Sequence, residues 1–91
     1  MATSTAELKI DVKAATVIAY EYLHSLMPVI PTEDISLEEV ELDGKDWLVT
    51  LGFTDRHAQK FIAAMDGGRT YKQFRINSTT GQVSSMRIRK P

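Results

Sequence analysis

Hydrophobic and polar positions follow two rhythms along this chain, and each rhythm predicts its own kind of element. Between Leu8 and Leu26 apolar residues recur at helical spacing. Leu8, Val12, Ala15, Ala19, Tyr22, Leu23 and Leu26 share one stripe, Lys13, Glu21 and His24 lie opposite, and Val17 is out of place. Ser4-Thr5-Ala6-Glu7 fits a capping box, in which serine and glutamate satisfy each other's free backbone donors, so the helix is expected to begin there. Pro28 disfavours helical geometry at Met27, which places the end near Leu26, before a loop through Pro31 to Asp34.

From Glu38 the period changes to two. In EEVELDGKDWLVTLGF, Asp43-Gly44 is a turn signal, because a type I′ turn needs positive φ at both centres. That turn pairs Leu42 with Lys45 and Val40 with Trp47; a longer Asp43-to-Asp46 loop keeps the same faces. Val40, Leu42, Trp47, Val49, Leu51 and Phe53 then form a core face, and Glu39, Glu41, Asp46, Leu48 and Thr50 the other. Thr54-Asp55, RHAQKFIAAM and Asp66-Gly67-Gly68 suggest a cap, a short helix and a glycine stop, with an irregular excursion as the alternative.

Tyr71 to Asn77 alternates again, with Phe74 and Ile76 on one face and Tyr71, Gln73 and Arg75 on the other. A turn at Ser78-Thr79-Thr80-Gly81 leads to a fourth strand, Val83 to Arg89. There Met86 and Ile88 alternate with Arg87 and Arg89, and Val83 falls out of phase unless a bulge sits near Ser84-Ser85. The expected fold is α+β in two layers. One N-terminal amphipathic helix packs on a four-stranded antiparallel meander, with a short helix or irregular insertion between strands 2 and 3.

Composition adds limits. A chain of 91 residues, 43% hydrophobic and 25% charged, fits one domain spanning 1–91, with 1–5 as a flexible tail. With no cysteine, packing and backbone pairing hold it together, and a reducing compartment fits. No basic start followed by an apolar run marks a signal peptide, and no stretch reaches the length of a membrane span, so a cytoplasmic protein without membrane contact is expected. Asn77-Ser78-Thr79 matches a glycosylation sequon that such a location leaves unused.

The formal charge of −1 conceals a division. Residues 1–55 hold eleven acids and three bases, a net −8, whereas residues 56–91 hold eight bases and one acid, a net +7. The plainest account is neutralisation within one fold; the alternative is a pair of interaction surfaces.

Candidate chemistry is sparse. No nucleophile elbow, phosphate-binding glycine loop or helically spaced histidine pair occurs, and His24 and His57 stand apart, so no enzymatic activity and no catalytic residue are expected. Gly67-Gly68 follows a helix instead of preceding one, which does not suit a phosphate cradle. Glu38, Glu39, Glu41 and Asp43 offer hard oxygens, but alternate acids on an extended strand splay by about 7 Å, whereas a cation loop converges its ligands. Neither metal nor cofactor is expected.

Together, the helix, EEVELDGKDWLVTL, YKQFRINSTTGQVSSMRI and the hairpin turn Thr80-Gly81-Gln82-Val83 resemble a PepSY-type domain of cystatin-like architecture, from about Lys9 to Arg89. The resemblance implies a module that binds or inhibits another protein, as in propeptides of secreted thermolysin-type metallopeptidases. The chain departs from that pattern in having no export signal and a longer Thr54–Arg69 insertion, which points away from a propeptide role.

The expected function is therefore a non-enzymatic protein-binding, inhibitory or regulatory module. Its partner is another protein or a second copy, met through the exposed sheet face and edges. Leu48, Thr50, Tyr71 and Gln73 would form the centre of that face, with Arg75, Arg87 and Arg89 beside it. A nucleic-acid binder using Tyr71 and the three arginines is the first alternative, disfavoured by Glu39 and Glu41 on the same face; a self-assembling structural protein is the second.

Overall fold

The computed structural model describes residues 9–54 and 69–89. Helix α1 (Val12–Leu26) leads through a 3-10 turn (Thr32–Asp34) into β1 (Ser36–Asp43), β2 (Asp46–Thr54), β3 (Arg69–Asn77) and β4 (Val83–Ile88). All neighbouring strands are antiparallel, in the order β1-β2-β3-β4. This is the expected α+β meander.

The helix starts later than the capping-box reading placed it. Asp11 is its N-cap, Oδ1 accepting from the Ala14 N–H at 2.8 Å, and Lys9–Ile10 form a bend. Ile10 is committed to the sheet instead. Its N–H donates to the Ser78 carbonyl at 2.8 Å, and its carbonyl accepts from Trp47 Nε1 at 2.7 Å. In a continuing helix that carbonyl would serve Ala14; here Asp11 serves it. The Ser4–Glu7 box lies outside the described residues, as do His57 and the expected short helix before Gly67-Gly68.

Ala15, Ala19 and Leu23, spaced four apart, are the buried line of α1 and rest over β2 and its neighbours. The expected stripe was wider. Val12, Tyr22 and Leu26 remain 43%, 38% and 50% exposed, while Ile18 and Tyr20 pack beside the core. Small alanines let the backbone settle close to the sheet, so residues flanking that line reach past the core. On the sheet side Val49, Leu51, Phe53, Phe74 and Ile76 are fully buried, and Tyr22 meets Phe74 edge-on at 6.0 Å.

The first hairpin turns on Gly44-Lys45, with Asp43 opposite Asp46, Leu42 opposite Trp47 and Val40 opposite Val49. This is the register of the longer-loop alternative, not of Leu42 with Lys45. Only Gly44 has positive φ (65°), the requirement of a turn with glycine at its first central position, and Lys45 needs none. The faces are those the alternation predicts. Two bulges bend the edge strands: one at Glu38, between Leu37 and Glu39, and one at Ser84, where Arg75 pairs Ser85 but Ile76 pairs Val83. The Ser84 bulge brings Val83 and Met86 onto one face, as their phasing requires. The second turn is held by Asn77 Oδ1, which accepts from the N–H groups of Thr79 and Thr80 at 2.8 and 2.9 Å.

Candidate binding face

Helix α1 covers one side of the sheet, and no described helix covers the other. Register alone sets the rows of that second face. Glu39, Thr50, Gln73 and Arg87 lie side by side across the strands, as do Glu41, Leu48, Arg75 and Ser85. These rows hold Leu48, Thr50, Gln73, Arg75 and Arg87, and Tyr71 lies opposite Gly52, its carbonyl accepting from the Arg89 N–H.

Their accessibility differs from expectation at one position. Leu48, Tyr71 and Gln73 are half-buried, whereas Thr50 is only 4% exposed and its Oγ1 has no hydrogen-bond partner. Thr50 is therefore a floor residue of this face and not a contact residue. Strand alternation alone does not reveal that burial.

The electrostatics are mostly internal. Arg75 reaches Asp46 at 3.0 Å and Asp43 at 3.2 Å, and hydrogen bonds to Asp46 and then Asp43 raise its pKa above the ordinary arginine value. Arg89 meets Glu39 at 2.7 Å. Since Glu39 stands on β1 and Arg89 follows β4, this pair joins the outermost strands across β2 and β3. The long Glu39 and Arg89 side chains thus reach over the two central strands. Arg87 has no ion pair among the described residues, and neither has Glu41.

A second cluster, not anticipated, closes the end of the face near Gly52. Arg69 Nη2 donates to Ser36 Oγ at 2.6 Å and to Glu38 Oε2 at 3.2 Å, and Ser36 Oγ donates to the same carboxylate oxygen. These groups lie directly over Gly52. A Cβ there would stand 2.7 Å from Glu38 Oε2, 2.8 Å from Arg69 Nη2 and 3.0 Å from the Tyr71 ring. The signal in the sequence was the glycine itself, since glycine within a strand marks a close approach of other groups.

His24 is exposed on α1, and among the described residues no three metal-ligating side chains converge. Among the described residues, no helix is long and apolar enough to cross a membrane. No protein-family model, curated protein or solved structure matches the chain.

Proposed function

We propose that this chain is a non-enzymatic binding module, of the kind its PepSY-like features imply, which docks another protein on the face of its sheet opposite helix α1. The observation that carries this reading is the self-neutralisation of that face. Asp43 and Asp46 occupy Arg75, Glu39 occupies Arg89 and Glu38 occupies Arg69, so half-buried Leu48, Tyr71 and Gln73 sit inside a balanced polar rim. A less charged centre with a polar border is how protein-docking surfaces are built. The same pairing argues against nucleic acid, whose phosphates would have to displace the acids from two of the three arginines expected to bind them.

The test is capture from lysate of the source cell by tagged protein, with and without nuclease, beside the double variant Leu48→Ser with Tyr71→Ala. A discrete protein retained after nuclease by wild type, and lost by a variant with unchanged circular dichroism, is the expected result. Equal capture by the folded variant defeats the face as the docking site. Recovery of nucleic acid alone, released by salt, replaces this reading with the nucleic-acid one.

A further inference from the structure

We propose that the two edges of the sheet are complementary and that β1 of one copy pairs antiparallel with β4 of a second copy, extending the meander from molecule to molecule. This contact lies beyond the docking face and does not depend on it.

Three features favour it. The first is backbone orientation. The Arg89 N–H donates to the Tyr71 carbonyl at 2.8 Å, so Arg89 and Tyr71 are a hydrogen-bonded pair. By the alternation of an antiparallel ladder, Met86 and Ile88 then turn their N–H and C=O groups outward. On β1 the tight turn makes Asp43–Asp46 the hydrogen-bonded pair, which turns the backbone groups of Leu42 and Val40 outward in the same way. Among the described residues each edge thus offers an unpaired stretch, and the bulges at Glu38 and Ser84 lie just outside the stretches used.

The second is charge. With Val40 set opposite Ile88 of a neighbour and Leu42 opposite Met86, the intervening residues fall as Glu41 opposite Arg87 and Glu39 opposite Arg89. Glu41 and Arg87 are the acid and the base of these stretches without an ion pair of their own among the described residues. Glu39 and Arg89, already paired within one molecule at 2.7 Å, would exchange that partner for its equivalent in the next. Opposite charges directly across a ladder stabilise it and like charges oppose it, so β1 on β1 and β4 on β4 are both disfavoured.

The third is apolar exposure on the helix-bearing side of these edges. Leu42 is 45% exposed and Ile88 69%, and the register sets Leu42 beside the neighbour's Met86 and Ile88 beside the neighbour's Val40. The directions also agree. The first and last strands of a four-stranded meander run oppositely, so a neighbour in the same orientation presents β1 antiparallel to β4 with its helix on the same side. The contact is heterologous, and nothing in it limits the number of copies unless a ring closes.

The experiment uses charge reversal with rescue in the whole chain. Sedimentation velocity of wild type across a concentration series at low salt is expected to show reversible association that weakens at high salt. Glu41→Arg and Arg87→Glu alone should each weaken it by about tenfold. An equimolar mixture of the two variants should recover it, because the base introduced on β1 of one then faces the acid introduced on β4 of the other, and the remaining edges are wild type. Neither residue is ion-paired within the chain among the described residues, and circular dichroism verifies that both variants fold. Wild type that stays monomeric throughout the series overturns the proposal. So does association of either single variant at wild-type strength, or a mixture no stronger than its parts. Leu48→Ser with Tyr71→Ala should leave self-association unchanged, which separates this contact from the docking face.

Discussion

Among the described residues, Thr50 stands in an unusual physical situation: a hydroxyl buried on a central strand, on the side away from helix α1, with no hydrogen-bond partner. Burying a hydroxyl without a partner costs stability, and valine keeps the shape without the polar atom. Thr50→Val should therefore raise the free energy of unfolding by about 1 kcal/mol in urea denaturation, and a loss of stability would mean that Oγ1 has a partner in solution. The glycines allow a comparison. Gly44 and Gly81 both have positive φ, but a Cβ at Gly44 meets nothing within 4 Å, whereas at Gly81 it meets Ile18 Cδ1 at 3.2 Å. Gly44→Ala should cost about 1 kcal/mol from conformation, and Gly81→Ala measurably more, since Ile18 must also move. Arg75 has a raised pKa, so while Asp43 and Asp46 are ionised its bridges persist up to the ordinary arginine value and are lost on climbing through the higher one.

At the scale of elements, the helix start is the point where local pattern and three-dimensional partner part ways. Asp11→Ala should lower stability by about 1 kcal/mol, as loss of a side-chain N-cap does, and Trp47→Phe by about 1 kcal/mol through the freed Ile10 carbonyl, both read by thermal or urea melts. Strand periods, the faces of both hairpins and the need for a bulge beside Ser84 were legible, because each follows from alternation against one buried layer. Why helix α1 begins at Val12 was not. It depends on Trp47 and Ser78, distant in sequence, claiming the two backbone groups of Ile10. The Glu38 bulge escaped for a similar reason: EEVELD alternates well enough alone, and only pairing with β2 shows where the extra residue falls. Of the candidate face, membership was readable and accessibility was not. The cluster over Gly52 comes from long side chains whose direction spacing does not specify, and the burial of Thr50 does not follow from alternation either.

Over the whole molecule, the division into acidic and basic halves resolves into cross-sheet bridges: Glu39 with Arg89, Glu38 with Arg69, and Asp43 and Asp46 with Arg75. With side chains 46% and 43% exposed, the Glu39–Arg89 pair should be weak on its own. A double-mutant cycle with Glu39→Ala and Arg89→Ala should give a coupling under about 1 kcal/mol at low salt that vanishes near 1 M. The tether of Ile10 to Trp47 and Ser78 has a different consequence, in the order of events as the chain is made. Helix α1 leaves the ribosome before the sheet does, and Trp47 and Ser78, which hold the residue before its N-cap, are synthesised later, Ser78 last. At about 5–20 residues per second, the interval between Ile10 and Ser78 is about 3–14 s. For that time Ala15, Ala19 and Leu23 lack their complete sheet, so the nascent chain presents to chaperones the same narrow apolar line that the finished protein hides.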